Sequence, residues 1–110
     1  VPLVGEALWA ASRAIEGASG SNFLFPRYNR GSTSNANSAS AAINKWLKSR
    51  VPEGCVIHSF RHSFRDRLRN AGVQSELIDQ LGGWTRQSVG QSYGKGYDLS
   101  KVHEATQSIV

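Results

Sequence analysis

The stretch HSFRHSFRDRLRNAGV, residues 58–73, decides how this chain folds. Its apolar residues Phe60, Phe64 and Leu68 recur every four positions, a spacing that places them on one face of a helix. Gly72 follows them at the point where a helix commonly ends in a left-handed residue. We therefore predict a helix that ends near this glycine and buries the three apolar side chains.

Helical patterns continue on both sides of this stretch. The predicted helices begin after Pro2 and near Ser38, Ser59, Ser75, Arg86 and Asp98, with Ser75 as an N-cap. The two helices that begin at Ser75 and Asp98 each have an apolar face, formed by Leu77, Ile78 and Leu81 in the first and by Val102, Ala105 and Ile109 in the second. Residues 27–37 are rich in Asn, Ser, Gly and Arg, and we predict a loop there. Strand signals are weak, and a short strand is expected only at the N-terminal edge. The sequence therefore predicts a mainly α fold with little β structure.

Length, charge and cysteine content limit the possible classes of protein. The 110 residues suffice for one domain with a modest core, and their formal net charge of +5 favours a polyanionic partner. No apolar run approaches the ~18 residues that a membrane-spanning helix needs. The single cysteine, Cys55, cannot form an internal disulfide, so a reducing cytosol is expected.

Four residues carry the chemistry that the sequence suggests. Arg61 follows His58 by three residues, Trp84 comes 23 residues later, and Tyr93 follows after nine more. A His and an Arg one helical turn apart can reach the same phosphate, an indole N–H is a donor, and a phenol can act as a nucleophile. Together these groups could break and rejoin a phosphodiester without a metal or a cofactor.

Each of these residues also has a simpler interpretation. Trp84, after a Gly-Gly turn, and Tyr93 could both be packed core aromatics. His58 and His62 have the i,i+4 spacing of a helical zinc pair, but the adjacent cation of Arg61 disfavours a metal ion there. We therefore predict no metal site and interpret His62 as a hydrogen-bonded structural histidine.

A row of arginines accompanies the apolar stripe of residues 58–73. Arg61, Arg65 and Arg69 are four residues apart, and like charges at this spacing cost a few tenths of a kcal/mol each. Although a solvated charged face is the usual explanation, a compensating anion is also plausible. We predict that these arginines, together with Lys95, contact DNA phosphates.

The joint spacing resembles the tyrosine recombinases of the phage integrase family. The family's H-x-x-R box, followed by His and a hydroxyl residue, stands at residues 58–63, and its short "aGv" turn at 71–73. Its L-G-x-[HW] element stands at 81–84, with the nucleophile nine residues further on at Tyr93. Residues 23–26, Phe-Leu-Phe-Pro, resemble the family's "lFp" segment.

The resemblance implies a role for each residue. Arg61 would bind a non-bridging oxygen of the scissile phosphate, and Trp84 would donate its indole N–H. His58 would hydrogen-bond the same phosphate and assist proton transfer. Tyr93 would attack the phosphorus, leaving a 3′-phosphotyrosyl link and a free 5′-hydroxyl, with no need for ATP or a metal.

The resemblance also implies an architecture and partners. Residues 1–110 would be the helical C-terminal part of a catalytic domain truncated on its N-terminal side, because the family's first Arg and its Lys are not assigned in this chain. Residues 94–110 would form a hinge and a tail helix that docks on a neighbour. The expected partners are double-stranded DNA and other protomers in a tetrameric synapse, in the bacterial cytoplasm at the nucleoid and without a membrane.

Two other functions stay open at this point. A type IB topoisomerase-like enzyme shares the same catalytic groups but acts as a monomer. A non-catalytic helical module could instead rest the helix of residues 58–73 on the DNA backbone, with an inert Tyr93.

Overall fold

The computed structural model describes residues 1–84 and 96–110. These residues form five α-helices: α1 (Gly5–Gly17), α2 (Ala36–Leu47), α3 (Ser59–Asn70), α4 (Ser75–Gly82) and α5 (Leu99–Gln107). A 3-10 turn at Pro26–Tyr28 leads into two short antiparallel strands, β1 (Asn29–Arg30) and β2 (Thr33–Ser34), with Asn29 opposite Ser34. The described chain is mainly helical, which confirms the predicted fold class.

The chain divides into two compact units. The first unit comprises residues 6–60 and contains most of α1, the strand pair and α2. The second unit combines residues 1–5 with residues 61–110 and contains most of α3, together with α4 and α5. The boundary falls within the first turn of α3.

The core of the second unit is shared by three helices. It consists of the buried residues Leu68 from α3, Leu77, Ile78 and Leu81 from α4, and Val102 and Ala105 from α5. Leu68 is completely buried. The predicted apolar faces of α4 and α5 are therefore confirmed, and the end of α3 is fixed against both helices.

The C-terminal end of α3 follows the prediction. Gly72 has a φ of +75°, a left-handed conformation that costs glycine no Cβ clash. The Val73 N–H donates to the Leu68 carbonyl at 3.0 Å, and the Gly72 N–H donates to the Arg69 carbonyl at 2.9 Å. These two bonds form a Schellman motif, which ends the helix and turns the chain towards α4.

The predicted stripe on α3 is only partly correct. Phe64 packs against the core beside Leu68, but Phe60 is 54% exposed. The predicted N-cap of α4 is also one residue late, because Gln74 occupies that position and Ser75 is already helical. For α5 the predicted start is correct, since the Asp98 side chain accepts a hydrogen bond from the Lys101 N–H at 3.0 Å.

The first unit departs further from the sequence prediction. α2 begins two residues before Ser38, because the Asn35 side chain accepts a hydrogen bond from the Ser38 N–H at 3.1 Å and caps the helix. The strand pair lies inside the predicted loop of residues 27–37, where Gly31 adopts a φ of +57° and allows the tight turn. The expected strand at residues 1–4 is not formed.

The segment that precedes α5 is attached to α4. The Gln80 side chain accepts a hydrogen bond from the Tyr97 N–H at 2.8 Å and donates one to the Tyr97 carbonyl at 3.1 Å. The Tyr97 hydroxyl also hydrogen-bonds the Gln74 side chain at 2.7 Å. The helix predicted over residues 86–93 and most of the predicted hinge at residues 94–96 lie outside the described residues.

We expect Leu68→Ala to lower the free energy of unfolding by about 2–5 kcal/mol, because the substitution leaves a cavity where three helices meet. Leu99→Ala is the matched control, since Leu99 is 73% exposed and its truncation leaves no cavity. Urea unfolding of both variants measures the difference. Equal losses for the two variants would contradict this description of the core.

Candidate phosphate-binding site

Two arginines of α3 lie against the indole ring of Trp84. The guanidinium carbon of Arg61 is 4.3 Å from the ring centroid, and that of Arg65 is 5.0 Å from it. Both distances are within the range of a cation–π interaction, which contributes about 0.5–2 kcal/mol depending on exposure. The structure thus brings together Arg61 and Trp84, two residues that the sequence analysis assigned to one site.

The two glycines before Trp84 explain how its ring reaches α3. Gly83 has a φ of +64° and ends α4 in the left-handed conformation, so the chain turns back at that point. A Cβ on Gly82 would overlap the six-membered ring of Trp84. The backbone N–H of Trp84 donates to the Asp79 carbonyl at 2.9 Å, and this bond fixes the backbone of the turn.

Arg65 is held by a second contact. Its Nη2 lies 3.5 Å from Oδ1 of Asp79, whose side chain is only 4% exposed, while the Arg65 side chain is 28% exposed. An ion pair with a buried carboxylate fixes an arginine more firmly than a surface pair does. Arg65 therefore exposes less of its guanidinium group to solvent than an ordinary surface arginine does.

The remaining arginines of α3 differ in their contacts. Arg69 Nη1 lies 3.7 Å from Asp66 Oδ1 in an exposed i,i+3 pair, which is a weak interaction. Arg67 Nη2 donates to the carbonyl of Ile109 and so connects α3 to the C-terminal end of the chain. Arg69 is exposed, so a DNA phosphate can replace its carboxylate partner.

His58 directly precedes α3 and belongs to the first unit. Its side chain is exposed, and the backbone on either side of it is fixed. The Ile57 N–H donates to Oδ1 of Asn44 on α2 at 2.7 Å, and the Val56 N–H donates to the Ser59 hydroxyl at 3.0 Å. Asn44 thus fixes the backbone immediately before His58, a role that the sequence analysis missed.

Two predicted site residues, Tyr93 and Lys95, lie outside the described residues. A residue that contacts the site, Asp79, was missed by the sequence analysis; its carboxylate binds Arg65. The available signal was its position, since it is a charged side chain among the apolar residues of α4.

The Arg61–Trp84 pair has the chemistry of a phosphate site. A guanidinium that stacks on an aromatic face keeps its N–H edges available for bidentate hydrogen bonds to phosphate oxygens. Because Arg65 is already paired with the Asp79 carboxylate, Arg61 is the better placed of the two arginines to bind an external anion. Within residues 1–84 and 96–110 there is no group of three or more His, Cys, Asp or Glu side chains that could hold a metal ion.

Comparison with known families identifies the chain. The model of the phage integrase family matches residues 1–99, nearly the whole sequence, and the chain belongs to this family. Membership implies DNA binding and, in general terms, recombination by DNA breakage and rejoining. The searches of curated proteins and of solved structures give no significant match. In the described part of the chain, no helix is long and apolar enough to span a membrane.

We expect Gly82→Ala to displace the Trp84 ring, because the added methyl group would occupy the position of that ring. Gly83→Ala should instead cost about 1–2 kcal/mol of stability through its left-handed backbone while leaving the ring in place. The ¹H–¹⁵N signals of the indole N–H groups distinguish the two effects. Gly17→Ala is the control, since no atom lies within 4 Å of the added methyl group. An unchanged Trp84 signal in Gly82→Ala would contradict the described packing.

Proposed function

We propose that the complete protein cleaves and rejoins double-stranded DNA through a 3′-phosphotyrosyl intermediate, in site-specific recombination or integration of phage or mobile-element DNA. The observation that carries this proposal is the contact of Arg61 with Trp84, at 4.3 Å from guanidinium carbon to ring centroid. These two residues are 23 positions apart in the sequence, and the family resemblance implies that both bind the same phosphate. Membership in the phage integrase family supports the same chemistry.

In this proposal the scissile phosphate binds beside the indole ring. Arg61 donates N–H bonds to a non-bridging oxygen, Trp84 donates its indole N–H, and His58 hydrogen-bonds the phosphate from the start of α3. Negative charge builds up on these oxygens as the phosphorus becomes five-coordinate. Donors already in place at that moment are typically worth ~100- to 1000-fold in rate each.

Tyr93 is the proposed nucleophile. Its phenol oxygen forms a bond to phosphorus as the bond from phosphorus to the 5′-oxygen breaks, so the number of phosphate ester bonds is conserved. The phenol proton must leave and the 5′-oxygen must gain one, and His58 is proposed to assist this transfer. Because a free phenol has a pKa of about 10, this assistance is required at neutral pH. Attack by a 5′-hydroxyl reverses the step and rejoins DNA.

Other cations are proposed to hold the DNA backbone around the cleaved phosphate. Arg69 is exposed and only weakly paired, and Lys95 follows the proposed nucleophile by two residues. Arg65 retains 28% of its side-chain exposure, so part of its guanidinium can still meet a phosphate. The net charge of +5 agrees with a polyanionic partner.

We further propose that protomers assemble on DNA as a tetrameric synapse in the bacterial cytoplasm, and that residues 94–110 exchange between them. In this structure α5 packs on its own chain through Val102 and Ala105. Exchange would transfer this apolar face to a neighbouring protomer. The same packing within one chain also suits a type IB topoisomerase-like enzyme that works as a monomer. The oligomeric state of the complete protein during DNA cleavage separates the two.

We expect Tyr93→Phe in the complete protein to abolish the covalent protein–DNA complex, because the substitution removes only the attacking oxygen. Denaturing electrophoresis after incubation with duplex DNA measures the complex. Tyr28→Phe is the control and should leave the yield unchanged. A covalent complex that persists in Tyr93→Phe would contradict the proposal. The 110-residue chain alone should show little strand transfer, because the resemblance calls for a first Arg and a Lys that are not assigned in it.

We expect Arg69→Ala to weaken DNA binding and to reduce the slope of log K against log salt by ~0.9, the value for one lost phosphate contact. Arg13→Ala is the matched control, because Arg13 forms an exposed i,i+3 pair with Glu16 and is not a proposed DNA contact. If Arg69→Ala changes the slope and Tyr93→Phe leaves the protein's action on DNA unchanged, the protein is a non-catalytic DNA-binding module. An unchanged slope in Arg69→Ala would remove this residue from the interface.

A further inference from the structure

Asp79 is a buried charged residue for which the proposed chemistry has no role. It lies on α4 beside the core residues Ile78 and Leu81 and is 4% exposed. Aspartate is almost never fully buried unless it is paired, and the carboxylate of Asp79 lies 3.5 Å from Nη2 of Arg65. The pairing with Arg65 accounts for a charged side chain at this position.

Asp79 also holds the backbone that carries Trp84. Its carbonyl accepts hydrogen bonds from the N–H groups of Gly83 and Trp84, the latter at 2.9 Å. The carbonyl of Asp79 therefore fixes the main chain of Trp84. Its carboxylate fixes Arg65, which lies against the Trp84 indole ring. Asp79 thus restrains the position of the Trp84 indole ring through both its side chain and its main chain.

The described contacts of Arg65 are the carboxylate and the ring. Its guanidinium carbon lies 5.0 Å from the Trp84 ring centroid. Its Nε is buried and has no hydrogen-bond acceptor within residues 1–84 and 96–110. An arginine attached in this way keeps one orientation, and its position restricts the ring that Arg61 also contacts at 4.3 Å.

We propose that Asp79 is a positioning residue for DNA cleavage, acting through Arg65 to hold the Trp84 indole and the Arg61 guanidinium in the geometry that binds the reacting phosphate. Asp79 itself does not touch DNA. This inference rests on the proposed function and adds to it the residue that orders the site from inside the protein.

The proposal gives a kinetic signature that a purely structural role lacks. Asp79→Asn keeps the size of the side chain but removes its charge, so Arg65 is released and can turn towards a DNA phosphate. DNA binding then stays equal or becomes tighter, while cleavage slows because Trp84 and Arg61 lose their orientation. Small displacements of groups around a reacting centre can cost about 100-fold in rate. A merely destabilised protein would lose binding and cleavage together.

The test uses the complete protein and a duplex selected from a random pool by covalent capture with the wild type. The single-turnover cleavage rate at saturating duplex and the dissociation constant for the same duplex are measured for Asp79→Asn and Arg65→Lys. Arg65→Lys keeps the positive charge but lacks the planar group that stacks on the ring. Glu104→Gln is the matched control, because it removes a carboxylate from an exposed ion pair that is also 3.5 Å long.

We expect both variants to cleave about 10- to 100-fold more slowly and Glu104→Gln to match the wild type. The dissociation constant of Asp79→Asn should be unchanged or smaller. If the wild type captures DNA through Tyr93 and both variants cleave at the normal rate, the positioning role of Asp79 is overturned while the proposed function stands. A wild type that captures no duplex through Tyr93 would overturn the proposed function. If Asp79→Asn does not fold, Arg65→Lys decides, and a wild-type rate in that variant overturns the inference.

Discussion

The contact between the arginines of α3 and the ring of Trp84 is the interaction on which the site depends. It joins the start of α3 to the end of α4, two points that are far apart in the sequence. The contact requires Gly82, because any side chain there would overlap the ring. It also requires the buried core around Leu68, because this core fixes the two helices at the distance that the arginine side chains span.

Electrostatics gives this contact its functional meaning. Arg61 and Arg65 place two positive charges beside one aromatic face, and only Arg65 has its charge balanced by a buried carboxylate, that of Asp79, within the described residues. The site therefore combines a fixed cation with a second one that is better placed to meet an external anion. This arrangement suits a family that acts on DNA, because a DNA phosphate can balance the positive charge of Arg61.

The sequence predicted those features that local rules control. Helix α3 and its end at Gly72 followed from four-residue spacing and from the tolerance of glycine for a left-handed backbone, and the core faces of α4 and α5 from periodicity. The exposure of Phe60 and the pairing of Asp79 with Arg65 could not be predicted, because both depend on which element packs against a helix rather than on the helix itself. The meeting of Arg61 and Trp84 was expected from the family resemblance and not from spacing alone.

We propose that Arg61 and Trp84 together bind one phosphate. The most direct measurement follows the indole N–H signals of the complete protein during titration with orthovanadate, which can imitate a five-coordinate phosphate. We expect the Trp84 signal to shift in a saturable way, Arg61→Ala to remove this shift, and the Trp9 and Trp46 signals to stay constant. A Trp84 signal that does not respond, or one that responds equally without Arg61, would contradict a shared phosphate site.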